Sequence, residues 1–337
     1  MRRFIIRRLW QSVLLVLAIL LLNFFILRLT PGDPYSTLQY QMLQASNGNE
    51  LNASQQRQLN DLRQRMGLYL DPWPQAFISW ASGLIHFDFG NSVVNGQPLT
   101  PQLKEAAIGS FWLLFFAALF GAVLGIPLGI YSAYRAGTWK DKTIKILTGV
   151  FVALPGWFML QLVQFLNQQL WEATGRHFSI IPIATNELEY ARNSDLVRFW
   201  HNCLPVVFLG AVIVALLWGQ SRAQTLEVLS EDYVRTARAK GLRSREIVFR
   251  HVFRTSLSPL ITIFGGLLPF VFGAQVLIEY FGKWSGLGYL FLNAASQRDY
   301  TMLMGVFTLL ALTCVICSLL ADIAYGIVDP RVSEKAK

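Results

Sequence analysis

Six stretches of predominantly apolar residues, Leu9 to Leu27, Phe111 to Tyr134, Ile146 to Leu170, Cys203 to Gly219, Leu260 to Phe281 and Met302 to Val328, alternate along the chain with polar segments. A helix needs roughly 20 apolar residues to cross roughly 30 Å of hydrocarbon, and backbone amides in lipid must pair within their own segment, so each block is predicted to be helical. The fourth is the shortest, and Pro205 is placed at its start. The pattern predicts an all-α polytopic membrane protein with six transmembrane helices. Residues 1–30 form an N-terminal segment and first helix, 31–110 a large outer loop, and 111–337 a five-helix core carrying a hydrophilic loop at 220–258.

Composition agrees with that pattern. Hydrophobic residues make up 53% of the 337 and charged residues 15%, more apolar surface than one soluble core buries, and the excess must face lipid. The net charge of +9 does not indicate nucleic acid, because the basic residues are scattered between apolar blocks rather than gathered on a polar domain. Their distribution sets orientation instead. With the N-terminus inside, nineteen of the 29 Lys and Arg residues fall on the inner side, eight of them between Arg222 and Arg254, so both termini are predicted to be cytoplasmic. The first block follows Arg2, Arg3, Arg7 and Arg8, exceeds a typical signal-peptide core in length and has no small-x-small site after it, and is read as an uncleaved helix. Cys314 and Cys317 lie inside an apolar block without further ligands, which points to packing rather than metal.

The inner loop carries local punctuation. Ser230 is the predicted N-cap of a short helix with Glu231 and Asp232 in its first turn, Arg238 and Lys240 lie in its last turn, Gly241 takes the left-handed position beyond it, and Ser244 begins a second helix. Ala237 and Gly241, four residues apart, are expected on one face where a partner's backbone can approach closely. Two readings follow from periodicity and charge: insertion into a partner's groove, or a basic helix lying on anionic lipid. The membrane spans that flank the loop closely on both sides weigh against a DNA-reading helix-turn-helix.

The stretch Glu231-Asp232-Tyr233-Val234-Arg235-Thr236-Ala237-Arg238-Ala239-Lys240-Gly241-Leu242, continuing to His251 and Pro259, closely resembles the coupling loop of binding-protein-dependent ABC transporter permeases, within them the dipeptide, oligopeptide and nickel family. Ile6-Arg7-Arg8-Leu9, Thr30-Pro31-Gly32-Asp33-Pro34, Met66-Gly67-Leu68, Asp71-Pro72, Asp88-Phe89-Gly90, Glu279-Tyr280-Phe281, Gly286-Leu287-Gly288, Asp322 and Asp329-Pro330-Arg331 carry the resemblance over nearly the whole chain. Asp232 departs from the usual alanine, Lys283-Trp284-Ser285 replaces an aromatic-proline arrangement, and His86-Phe87 before Asp88 is unusual.

The resemblance implies a type I ABC importer permease fold in a bacterial inner (plasma) membrane. Its implied partners are a second homologous permease, two ABC ATPase subunits, a periplasmic or lipid-anchored substrate-binding protein and membrane lipid. The chain itself is expected to bind no cofactor, with ATP and Mg held by the ATPase subunits; Gly282-Lys283 has no following Ser or Thr and no upstream glycine at phosphate-loop spacing. Glu231, Asp232, Tyr233, Arg235, Ala237, Arg238, Ala239, Lys240, Gly241 and Arg243 become the expected ATPase-coupling residues. The implied cargo is short peptides, with nickel chelates, glutathione, antimicrobial peptides or diamines as alternatives.

Inside the membrane, Gln161, Gln164 and Gln168 recur at helical spacing and form a polar stripe that either lines the pathway or bonds neighbouring helices. Glu279 and Asp322, ionisable residues near helix ends, are either further pathway candidates or interfacial groups in contact with water. Pro155-Gly156 and Pro269 are expected hinges. The outer loop, with Trp73 and Trp80, is expected either to form a partly helical lid against the binding protein or only to cover the external face, with a partly flexible run from Gln39 to Gln64. Two rival classes remain: a secondary transporter or channel working alone, and a membrane enzyme, for which no acid, base or metal cluster is visible. His86, His177, His201 and His251 lie on separate segments.

Overall fold

A computed structural model describes residues 2–29, 43, 56–57, 60, 72–174, 195–241 and 270–328. Most of the outer loop, the coupling loop from Leu242 to Pro259 with Arg243, Ser244 and His251, the start of the fifth block with Pro269, and the end from Asp329 lie outside the described residues.

Among the described residues ten helices account for nearly all regular structure: α1 (Arg2–Leu29), α2 (Trp73–Ile85), α3 (Leu99–Tyr134), α4 (Trp139–Ala153), α5 (Gly156–Thr174), α6 (Asp195–Ser230), α7 (Asp232–Ala239), α8 (Phe270–Phe281), α9 (Leu287–Gln297) and α10 (Tyr300–Val328). Helices α1, α3, α6 and α10 are long and apolar enough to cross a membrane. The third block is not one straight helix. It divides into α4 and α5, which meet at 88°. Leu154 is extended (φ −99°, ψ 117°), the conformation that steric pressure from a following proline favours, and the Pro155 carbonyl accepts the amides of Phe158 and Met159 to begin α5. The expected hinge at Pro155-Gly156 is thus a full corner.

Pro205 does not start the fourth helix, as the sequence suggested. It lies one-third of the way along the 36-residue α6, whose first turns extend beyond the apolar block. A proline inside a membrane helix is tolerated where neighbouring elements compensate the lost amide, and Pro205 is packed beside Gly282.

The chain divides into two compact units. The first comprises Met1–Leu9, Ser110–Trp284 and Ile316–Lys337. Its centre is the contact between α3 and α6. Gly121, Gly125 and Gly129 lie at four-residue spacing on one stripe of α3, and a Cβ added to them would stand 2.3 Å from Ile213 Cγ2, 2.9 Å from the Val214 carbonyl oxygen and 2.6 Å from Ser221 Cβ. Small residues let membrane helices approach to backbone contact, where dispersion and short polar contacts replace the hydrophobic drive that lipid does not supply. Partner numbers rise together along both helices, so α3 and α6 run parallel. The chain therefore reverses direction between Tyr134 and Asp195, and the bent α4–α5 pair, the apolar segment described there, has the length and composition of one broken span or of a re-entrant loop. Helix α6 also packs against α4, α5 and α7.

The second unit comprises Trp10–Gly109 and Ser285–Val315. Its core brings Phe24, Trp80, Phe89, Leu103, Leu287 and Met304 together. Asn23, a polar residue within the α1 span, is buried and donates to the Met304 carbonyl (3.2 Å) and to Thr308 Oγ1 (3.5 Å) of α10, which satisfies its amide away from lipid. Helix α2 anchors through Ala76 and Trp80, while Trp73 is half exposed and lies 5.4 Å from the Phe25 ring. The turn after α2 is tied down by Ser92, whose hydroxyl donates to Asp299 at the start of α10.

Candidate functional site

Helix α7 holds most of the residues that the coupling-loop motif singles out. Its beginning differs from the expected cap. Ser230 Oγ donates back to the Glu227 carbonyl at 2.6 Å and so finishes α6, while the Glu231 carbonyl accepts the amides of Val234 (3.1 Å) and Arg235 (3.3 Å) and opens α7. A serine at a helix boundary serves either end, and here the bond to the preceding turn wins. Glu231 alone separates the two helices.

Helix α7 is strongly amphipathic. Val234 is fully buried and Ala237 nearly so, both against Val228 and Leu229 at the end of α6. Asp232, Tyr233, Arg235, Thr236, Ala239 and Lys240 point outward. The expected shared face of Ala237 and Gly241 is therefore absent: folding α7 back on α6 takes Ala237 into the anchoring face. Gly241 is exposed, adopts φ +79°, and has open space where a Cβ would stand. The left-handed position expected for it is present. The Asp232–Arg235 pair (3.6 Å) has side chains 96% and 73% exposed, so it contributes about 0–1 kcal/mol and leaves the outward face free of strong internal ties.

Two turns before α7, α6 enters a buried ionic centre. Asp141 of α4 is fully buried and receives Arg222 Nε on Oδ1 (3.0 Å) and Arg222 Nη2 on Oδ2 (3.1 Å). Ser132 Oγ of α3 donates at 2.5 Å, the Gly137 amide at 3.1 Å, and Lys145 Nζ lies 3.2 Å away. One carboxylate thus gathers donors from α3, the α3–α4 turn, α4 and α6. A buried charge persists only with such compensation. Sequence reasoning missed it: Arg222 was counted toward topology alone, although Asp141 is the single acid in the basic segment between Arg135 and Lys145. The Gly121–Gly125–Gly129 stripe was also missed, and its four-residue spacing was legible.

The pathway candidates each have their own surroundings. Gln161 is half-buried, Gln164 Nε2 donates to the Phe281 carbonyl at 3.3 Å, and Gln168 is exposed and donates to Glu172 at 3.0 Å. Asn167 on the same helix, which no sequence signal marked, is fully buried. Glu279 is buried and its Oε1 accepts Ser110 Oγ and Gln275 Nε2, each at 2.7 Å. Asp322 pairs with Arg8 at 3.3 Å.

With this geometry established, comparison with known proteins gives a consistent result. The family described as "Binding-protein-dependent transport system inner membrane component" matches residues 125–334. The oligopeptide transport system permease AppB of Bacillus subtilis is 32% identical over 335 residues, covering 98% of this chain and 99% of its own. The dipeptide transport system permease DppB of Escherichia coli is 29% identical over 350 residues, covering 99% and 100%. The glutathione transport system permease GsiC of Pectobacterium atrosepticum is 28% identical over 335 residues, covering 99% and 100%. Among solved structures, a chain of the MetNI methionine ABC transporter in inward-facing conformations superposes with a TM-score of 0.53 at 16% identity, covering 68% of this chain and 98% of that one, a likeness of fold.

Proposed function

Because the chain belongs to the family of inner-membrane components of binding-protein-dependent transport systems, we propose that this ABC importer permease subunit forms half of a translocation pathway for short peptides. A second, related permease supplies the other half. The observation that carries the mechanism is α7: a short amphipathic helix, anchored by Val234 and Ala237 to the end of a long membrane helix and joined to it by one residue.

Two ATPase subunits bind ATP and Mg on the cytoplasmic side of the bacterial inner membrane, and α7 seats against them. Its outward face presents Asp232, Tyr233, Arg235, Ala239 and Lys240, and Gly241 leaves room for a partner's backbone. Arg238 belongs to the same helix. A rigid helix transmits displacement where a flexible loop would absorb it, so closure of the ATPase pair is passed to α6. A periplasmic or lipid-anchored binding protein delivers cargo on the opposite face. Peptide cargo is supported by the full-length similarity to the oligopeptide and dipeptide permeases. Glutathione is a second reading, supported by the similarity to GsiC. Membership of the family sets aside a stand-alone secondary transporter.

The test is affinity purification of the tagged chain in mild detergent, with its genomic neighbours coexpressed, followed by ATPase assay in vesicles with binding protein and a dipeptide, an oligopeptide or glutathione. Wild type is expected to recover a second permease and ATPase subunits, with hydrolysis stimulated by a peptide arm. Gly241→Arg, which sets a bulky cation in the open space at the turn, is expected to lose the ATPase subunits while the membrane part stays folded. A wild-type chain recovered alone, or a Gly241→Arg chain that still binds and couples, sinks the docking assignment.

A further inference from the structure

We infer that the Asp141–Arg222 ion pair is the joint through which motion of α7 reaches α3 and α4 as well as α6, so that these helix ends move as one body during transport. The inference rests on the docking role of α7 proposed above. It assigns Asp141 and Arg222 as positioning residues that touch neither nucleotide nor cargo.

The path of force runs backward along the chain from α7. Val234 and Ala237 are buried against Val228 and Leu229, so α7 is fixed to the last turn of α6 rather than hanging from it. Arg222 sits two turns earlier on α6 and grips both oxygens of Asp141. That geometry resists rotation as well as separation, because the planar guanidinium fork fixes orientation in a way a single ammonium contact does not. Ser221, next to it, donates to the Ile126 carbonyl of α3 at 3.0 Å. Gly129 is in backbone contact with Trp218 and Arg222. On the other side Asp141 is held by Ser132 of α3, the Gly137 amide in the turn and Lys145 of α4.

Among the described residues the charges facing this carboxylate are Arg222 and Lys145, with neutral donors from Ser132 and Gly137. Every one lies within the segments that a push on α7 would have to move. Without the pair, α6 retains its glycine-stripe contact with α3 and its packing against α4 but loses the ionic link that fixes their orientation, and the corner at Pro155 lets α4 lag behind. Buried ionic groups of this kind serve geometry more than stability, since desolvation offsets much of their attraction.

The experiment places spin labels at Thr236→Cys on α7 and Lys142→Cys on α4, both exposed positions, in the full complex with its ATPase subunits. The distance between them is measured by pulsed electron resonance without nucleotide and after trapping with ATP and vanadate. The native pair is expected to hold one distance in both states. Arg222→Lys and the neutral pair Asp141→Asn with Arg222→Gln are expected to retain the ATPase subunits and hydrolysis, yet to show a shifted or broadened distance on trapping and less cargo moved per ATP. A purely structural role would lower the yield of folded complex and leave the distance unchanged in what survives. Variants in which α7 and α4 still move together overturn the inference. A wild-type complex whose two labels separate on trapping overturns it as well. A wild-type chain that recovers no ATPase subunits removes the docking role itself and, separately identified by that result, this inference with it.

Discussion

At the residue scale, buried charge and close backbone contact set the costs. Arg222→Met leaves Asp141 buried with Lys145 as its remaining cationic partner among the described residues, and truncating one side of a buried pair costs about 3–5 kcal/mol. The neutral combination Asp141→Asn with Arg222→Gln is expected to cost clearly less, because no buried charge is left to neutralise. Thermal unfolding of both variants in one detergent checks the order, and equal losses would contradict it. Gly125 makes a different demand. An added Cβ there stands 2.9 Å from the Val214 carbonyl oxygen and 3.0 Å from Leu217 Cβ, so Gly125→Leu must push α3 and α6 apart. Overpacking of that kind costs about 1–3 kcal/mol and is expected as a lower melting temperature and a lower yield of monodisperse protein. Gly149, with open space around its Cβ position, is the control: Gly149→Leu should leave the melting temperature near wild type.

At the scale of the element, α7 is too short to be helical alone, since helices below about 12 residues are marginal in water. Its order comes from two side chains pressed on α6. Val234→Ala removes buried methyl groups at a fully buried position and is expected to detach the helix locally. Hydrogen exchange should then quicken across Asp232–Ala239 and remain slow in the membrane portion of α6. Unchanged protection in α7 would place its stability elsewhere. The inner-loop motif foretold a helix between residues 231 and 241 and a left-handed glycine after it, because capping and dipole preferences act over one turn of chain. It misplaced the cap and the buried face, since which side of a short helix is covered depends on how the chain folds back at Glu231. Pro155 gives the same contrast. Its effect on Leu154 is local steric pressure and was legible, whereas the 88° size of the corner is set by packing, Gly156 lying against the Phe208 carbonyl and Ile278.

At the scale of the whole molecule, the parallel run of α3 and α6 supports an odd number of crossings between them, which suits the orientation read from basic residues. With the three native cysteines replaced, single cysteines at Lys142 and Thr236 are expected to react with an impermeant maleimide only from the cytoplasmic side, and one at Asn95 only from the outside. Labelling of Asn95 and Thr236 from the same side would reverse that topology. The sequence by itself determined that the chain is a bundle of membrane helices and which inner segment carries the short helix α7. Hydropathy over about 20 residues and a contiguous motif are properties of neighbours along the chain. The tertiary structure decided the rest: the close pairing of α3 with α6, the partners of Glu279 and Gln164, and the meeting of Asp141 with Arg222, 81 residues away. Those contacts join residues that no local preference links, and lipid gives helices no general drive to associate, so the partners are chosen by shape and by polar groups that must be satisfied.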